Sequence, residues 1–336
     1  MNKDISITIQ DVANDAGVSV ATVSRVLNEI GNVSLTTSKR VRASIERLGY
    51  TPNLSAQNLR KKESKVVLII VQNFTNPFYS GILSGLCEAA QTLGYSAFIN
   101  SNGDTTQDKR LADFLYSKRV DGAILLSCST NDCWLSKYAD QFPIVQCAEA
   151  ADNVCLPYVS IDNYSAMCDM ISYIRGLGHE KIGYVNIDNK FLSTRQRKQG
   201  YIDSVSFKNK EQYIINTQNY DYESGMIAAE KLFKLSEKPT AIVCGSDMLA
   251  LGVIAKAREL GLSVPADVSV TGFDDVEYTK MFQPYLTTVA QPCYELGWSA
   301  MHELKASIDR GYNGNAHIVL PYQLKIRDSC AKIDAP

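Results

Sequence analysis

The chain has 336 residues, 45% of them hydrophobic and 21% charged, with a formal net charge of −2; this is the balance of a globular protein of two or three domains. Its longest apolar run, Val66–Val71, is strand-sized and well short of the ~18 residues that cross a bilayer. The opening Met-Asn-Lys-Asp-Ile-Ser lacks the apolar core of a secretory signal, so membrane insertion and export are not expected and a cytoplasmic location is. Nine cysteines lie scattered without a Cys-x-x-Cys pair, beside only three histidines. Free thiols are therefore expected, with no metal and no cofactor.

The charge is uneven. Residues 1–62 carry nine Lys/Arg against five Asp/Glu, which leaves 25 basic and 31 acidic residues for the rest. A basic head on an acidic body fits a phosphate-facing module joined to a separate one. Within the head, Thr8 reads as an N-cap with Asp11 in the first turn, where the helix dipole favours a negative charge. Ile9, Val12, Ala13 and Ala16 follow at helical spacing, and Gly17 suits the left-handed turn that ends a helix. Ser19 caps a second helix over Val20–Asn28 with Val23, Val26 and Leu27 inward. Ser34 caps a third, with Val41, Ile45 and Leu48 as its stripe and Gly49 as its stop.

Three short helices with a tight turn between the first two make a helix-turn-helix unit over residues 1–50. The N-terminal end of its second helix would enter a major groove. Val20 and Ala21 then offer methyl groups to thymine, and Arg25 reaches a guanine or a phosphate. Thr22, Ser24, Ser34 and Thr37 suit phosphate contacts, which set register without reading bases. The alternative is a plain helical bundle in which Arg25 only solvates a surface. Residues 51–62 follow as a short segment in which Pro52 ends the third helix. It is helix-compatible but too short to be stable alone, or else a flexible basic linker.

From residue 63 to 336, strand-like runs alternate with amphipathic helices. Val66–Val71, Pro77–Leu93, Ser96–Asn100, 107–118 and Gly122–Leu126 form a first series. A second begins after residue 163 with Tyr164–Leu177, Ile182–Ile187, Thr194–Ser206, Tyr213–Ile215, Tyr222–Leu235, Ala241–Cys244, Leu249–Leu260 and Val268–Thr271. Such alternation predicts α/β architecture, two doubly wound parallel-sheet lobes, with a cleft at the carboxyl ends of the strands.

The ordered string from Thr8 to Asn28, with Leu-Gly-Tyr-Thr-Pro-Asn at 48–53, resembles the head of the lactose/galactose repressor (LacI/GalR) family. Markers along the body are similar to the same family: Asn-Pro-Phe-Tyr at 76–79, Val-Asp-Gly-Ala-Ile-Leu at 120–125, Gly-Ser-Asp-Met-Leu-Ala-Leu-Gly at 245–252 and Leu-Thr-Thr-Val-Ala-Gln-Pro at 286–292. The resemblance implies a DNA-binding regulator, most simply a repressor. It implies a periplasmic-binding-protein-like body with an N-lobe about 63–162 and 290–321 and a C-lobe about 163–289 and 322–336. It also implies a homodimer on a near-palindromic double-stranded operator, and a small-molecule effector, a sugar or a nucleoside.

By the same resemblance, Thr8, Ser19, Asn28 and Tyr50 join the DNA-facing set. Residues 51–62 become a hinge helix in which Asn53, Ala56 and Leu59 meet the minor groove and Leu59 wedges a base step. The effector set is Asn73, Phe78, Tyr79, Arg197, Tyr220, Asp247, Asp274 and Gln291. Phe78, Tyr79 and Tyr220 supply aromatic walls, and Arg197 grips a hydroxyl or carboxylate. Asp247 and Asp274 accept ligand hydroxyls, and Asn73 and Gln291 sit at the rim. From position alone, either aspartate also suits a helix cap or a turn. A transport solute-binding protein and an enzyme are the competing classes. The head opposes the first, and the lack of a triad, phosphate loop or metal cluster opposes the second.

Overall fold

A computed structural model describes residues 7–28, 30–51, 63–101, 113–127, 135–151 and 154–333. The hinge positions Asn53, Ala56 and Leu59 lie outside these residues. By contacts the chain divides into two compact units, Met1–Glu63 and Ser64–Pro336.

The head consists of α1 (Ile9–Asp15), α2 (Val20–Leu27) and α3 (Leu35–Leu48). Each begins on the hydroxyl residue expected from the sequence: Thr8, Ser19 and Ser34 accept from backbone N–H groups of the first turn. At α1 the cap is reciprocal, because Asp11 returns a bond to the Thr8 N–H at 2.8 Å. Helix α2 stops at Leu27, one residue before the expected end, with Asn28 as its C-cap. Gly49 ends α3 at φ +63, a conformation that costs a side-chain-bearing residue energy. Val12, Ala13, Ala16, Val23, Val26 and Val41 form the small core, and Ser44 and Arg47 of α3 both bond the Asp15 carboxylate of α1.

The body is two six-stranded sheets flanked by helices, as the αβ alternation predicts. The N-lobe contains β1 (Val66–Val71), α4 (Phe78–Thr92), β2 (Ser96–Ser101), β3 (Gly122–Leu125), α5 (Leu135–Ala139), β4 (Ile144–Cys147) and β5 (Tyr158–Ile161). Residues 113–116 are also helical, within the expected 107–118 segment. The chain then enters the C-lobe: α6 (Asn163–Gly176), β6 (Ile182–Ile187), α7 (Leu192–Ser204), β7 (Ile214–Thr217), α8 (Tyr222–Phe233), β8 (Ala241–Cys244), α9 (Asp247–Glu259), β9 (Ser269–Asp274) and β10 (Thr287–Ala290). It returns through α10 (Cys293–Arg310) and β11 (His317–Leu320) and ends in β12 (Gln323–Lys325). The N-lobe order is β11-β5-β4-β3-β1-β2, parallel throughout, and the C-lobe order is β12-β10-β9-β8-β6-β7, with β12 antiparallel to β10. The lobes are thus joined at Asp162, at Gln291–Pro292 (just past position 289) and at Pro321–Tyr322.

Strands β3, β4, β6, β8 and β9 are buried along their whole length, because helices cover both faces of a parallel sheet and near-continuous apolar runs follow. The two faces of the N-lobe sheet carry separate cores, and so do those of the C-lobe. In the N-lobe, α10 seats on α4 so closely that a Cβ at Gly85 would overlap the Tyr294 carbonyl and one at Gly297 the Ile82 carbonyl. This contact locks the returning segment onto the lobe where the chain began.

Candidate functional site

In the head, Ala21 and Arg25 are exposed on α2 while Val20 is half-buried against the core, so one methyl wall of the expected reading surface is partly used in packing. The Ser19 hydroxyl accepts the Thr22 N–H at 3.2 Å and meets the Thr22 hydroxyl at 2.9 Å; Ser34 and Thr37 repeat the pattern at the start of α3. Asn28 and Ser24 engage each other, with the Asn28 amide on the Ser24 carbonyl at 2.7 Å. Tyr50 packs half-buried on the core just past Gly49. The hydroxyls at the helix starts stand beside free N–H groups and positive dipole ends, which are suited to phosphate oxygens.

In the body, strand ends of both lobes converge on a cleft. Its outer part, about 650 Å³, is lined by Gln72, Asn73, Thr75, Asn76 and Tyr79 of the N-lobe and by Ile187, Gln218–Asp221 and Met248 of the C-lobe. A narrower inner part is lined by Asn76, Phe78, Tyr79 and Glu149 from one lobe and Phe191, Ser193, Arg197, Tyr220, Ser246 and Asp274 from the other. Of the effector residues expected from the sequence, Phe78, Tyr79, Arg197, Tyr220 and Asp274 are brought together here, and Asn73 lies in the outer part.

Arg197 is held on several sides. Its Nε donates to Asn163 Oδ1 at 2.9 Å, its Nη1 donates to the Gly245 carbonyl at 2.6 Å, and its guanidinium lies 3.6 Å over the Phe273 ring. Asp274 approaches to 3.9 Å and takes a bond from Gln291 Nε2 at 2.7 Å. Asp274 has a φ of +120, a backbone state rare outside glycine that persists only when its surroundings enforce it. Burial pushes its carboxyl up to about 7 despite the opposing pull of Arg197. Tyr220 shares a hydroxyl contact with Thr194 at 3.1 Å.

Two expected residues take other positions. Asp247 does not line the cleft: it is fully buried, with one oxygen accepting the Val276 N–H at 2.8 Å and the other the Thr288 hydroxyl at 2.6 Å. Its oxygens hold the start of α9 against β10 and the turn after β9, so the turn-forming alternative describes it and the expected ligand contact does not. Gln291 lies at a lobe crossing and acts on the cleft through Asp274.

Glu149 escaped the sequence reading. It follows the end of β4, after Ala148 at φ +66. Its carboxylate accepts the Ser193 N–H at 3.2 Å and the Ser193 hydroxyl, bridging the two lobes. Burial pushes it up to about 7 against the lowering effect of Ser193. The signal available was its place at the carboxyl end of a strand, where α/β ligands bind. Among the described residues no cluster of His, Cys, Asp and Glu could hold a metal ion, and no helix is long and apolar enough to cross a membrane.

Comparison with known proteins agrees with this geometry. Residues 8–53 match the family described as bacterial regulatory proteins, lacI family, and residues 64–328 match the periplasmic binding proteins and sugar binding domain of LacI family. The HTH-type transcriptional repressor CytR of Escherichia coli K12 is 34% identical over 332 residues, 97% of each chain. Catabolite control protein A of Priestia megaterium is 35% identical over 332 residues, 97% of this chain and 99% of that one. Among solved structures, the lac repressor dimer bound to operator and the anti-inducer ONPF superposes with a TM-score of 0.86 at 26% identity, covering 97% and 99% of the two chains. The transcriptional regulator CelR–cellobiose complex gives 0.74 at 27% identity over 96% and 99%. These relatives are regulators rather than enzymes, and this chain belongs with them to the LacI family of DNA-binding transcription regulators.

Proposed function

We propose that this protein is a cytoplasmic repressor, acting as a homodimer on a near-palindromic operator, whose DNA affinity is set by a small sugar or nucleoside bound in the body cleft. The observation that carries the proposal is the inner cleft itself, where aromatic residues of one lobe face a buried arginine and carboxylate of the other. Polyhydroxylated rings take this combination: aromatic faces stack on the ring, and a few fixed polar groups set its orientation. Phe78, Tyr79 and Tyr220 provide the walls, Arg197 and Asp274 the central hydrogen bonds, Asn73 the rim, and Gln291 fixes Asp274. Glu149 joins the set.

A ligand touching both lobes favours the arrangement of the lobes that it fits best. A change in operator affinity then appears reciprocally in ligand affinity, typically as ~1–3 kcal/mol of coupling. In the head, Ala21, Arg25 and the exposed edge of Val20 read bases. Thr8, Ser19, Thr22, Ser24, Asn28, Ser34, Thr37 and Tyr50 position the head on phosphates, and Asn53, Ala56 and Leu59 act in the minor groove. The neighbours support this reading by what they contain: operator and an anti-inducer in one, cellobiose in another.

The test is a thermal-shift screen of sugars and nucleosides, since a ligand that binds the folded state stabilises it by mass action, followed by operator titration with each hit. A compound that raises the melting temperature and changes operator affinity is the expected result. Stabilising compounds that leave operator affinity unchanged refute the coupling.

A further inference from the structure

Three helices begin at the inner cleft, and each helix start is already answered by the chain itself. Phe78 of α4, Ser193 of α7 and Ser246 at the cap of α9 all line it. Helix starts expose N–H groups and a positive dipole end, the usual seat of a phosphate. At α4, Asn76 Oδ1 accepts the Phe78 N–H at 3.1 Å. At α9, the Ser246 hydroxyl accepts the Leu249 N–H at 3.4 Å, and the helix opens on the buried carboxylate of Asp247. At α7 the occupant comes from the opposite lobe: the Glu149 carboxylate sits on the Ser193 N–H and hydroxyl.

The buried cation is already shared among groups of the chain, with its remaining N–H donors beside a carboxylate. Arg197 already serves Asn163 and the Gly245 carbonyl, lies beside Asp274 and stacks on Phe273. Among the described residues the Glu149 carboxylate is bonded by Ser193, and the fields of Arg197 and the exposed Arg195 favour its charged form. Glu149 and Asp274 therefore place two buried carboxyls within the field of one guanidinium.

We propose that the effector carries no phosphate or other anionic group, and that Glu149 enforces this by occupying the anion seat at the start of α7. The proposal rests on the reading of the cleft as the effector site, and it narrows the ligand to a neutral or amine-bearing molecule. Hydroxyl and amino groups donate to Glu149 and Asp274. Above pH 7, where Glu149 and Asp274 are ionised, a phosphate there would meet like charges in a medium that screens poorly. The protein then senses a dephosphorylated pool: hydrolysis of a phosphate ester or a glycosidic bond supplies the signal, and phosphoryl transfer to the ligand ends it.

The experiment titrates the full chain calorimetrically at about pH 8 with glucose and glucose 6-phosphate, ribose and ribose 5-phosphate, and cytidine and cytidine 5′-monophosphate, and follows operator binding with each. The expected result is that a member binds at least about 100-fold more tightly than its phosphate ester. Glu149→Gln, which keeps the shape and removes the charge, should narrow that gap by about tenfold or more, and Glu149→Asp should preserve it. Should the Gln variant fail to fold, Glu149→Ser replaces it. A phosphate ester that binds as tightly as its parent and shifts operator affinity overturns the proposal and leaves the effector reading standing. A gap unchanged in the charge-free variant overturns the role of Glu149. Silence from all six compounds in both assays counts against the effector reading as well.

Discussion

The carboxylates of the head and those of the cleft are displaced in opposite directions. In the head, Asp11 is held below the usual range by the Thr8 hydroxyl and then its backbone N–H, and Asp15 by the Ser44 hydroxyl and then Arg47. In the body, burial drives the cleft acids Glu149 and Asp274 up to about 7, and the core residue Asp247 well above its ordinary value. The head acids stay solvated and are answered by donors beside them. The cleft acids have lost their water and are answered only in part. The head acids are answered as they stand; the cleft acids keep hydrogen-bond capacity, as the proposed effector site requires.

The largest effect is expected from Arg197→Ala. It leaves Asp274 beside no guanidinium and frees the Asn163 and Gly245 acceptors. Removing one partner of a buried ion pair costs ~3–5 kcal/mol. The body should therefore melt well below the wild type, and stabilisation by any cleft ligand should disappear. Differential scanning calorimetry with and without ligand reads both effects. A near-wild-type melting point would mean that the guanidinium is not holding the cleft acids.

Next in size is a pH effect with opposite signs in the two regions. Glu149 and Asp274 are raised to about 7 from ordinary values of 4.5 and 3.8. Between those values the folded body binds more protons than the unfolded chain, so this contribution to stability is full below the unfolded values and is lost as pH rises towards 7. Each group contributes a slope of at most ~1.4 kcal/mol per pH unit. The lowered head acids work the other way: their contribution is present above the ordinary carboxylate range and is lost as pH falls below it. Urea midpoints of the body should fall between pH 5 and pH 7, and Glu149→Gln should remove part of that slope. A midpoint that rises across the window would place the cleft carboxylates on the wrong side of neutrality.

How far each region could be read from the sequence follows the same division. Caps, turns and apolar spacing in the head are local, so Thr8, Ser19, Ser34 and Gly49 were legible from neighbours three or four residues away. The two sheets were legible as alternation, except at β4 and β5, which follow one another without an intervening helix among the described residues. The cleft depends on partners distant in sequence. Asp247 and Asp274 both look like acids following strands, yet only the fold puts Thr288 and the Val276 N–H on the first and leaves the second facing the cleft. Glu149 carries no motif, and its partner Ser193 is 44 residues away.

In the head, Arg25→Ala separates DNA reading from folding. The side chain is exposed and stands outside the core of α1–α3, so melting should be unchanged while operator affinity drops by ~1–3 kcal/mol, concentrated at one base pair. Quantitative footprinting on operators substituted position by position measures it. A uniform loss at every position would make Arg25 a phosphate contact instead.

Ser19→Ala has the smallest expected effect and separates two roles that overlap in one hydroxyl. Oγ accepts the Thr22 N–H at 3.2 Å at the start of α2, and in the proposed complex it also faces a phosphate. Losing the cap costs about 1 kcal/mol of head stability, visible as a lower melting point of the free protein. Losing a phosphate contact lowers affinity evenly across operator sequences and reduces its salt dependence. If affinity falls while its salt dependence stays constant, Ser19 acts by holding α2 in shape. If the salt slope falls too, the hydroxyl touches the DNA backbone. The head would then use on a phosphate the kind of helix start that the cleft fills with Glu149.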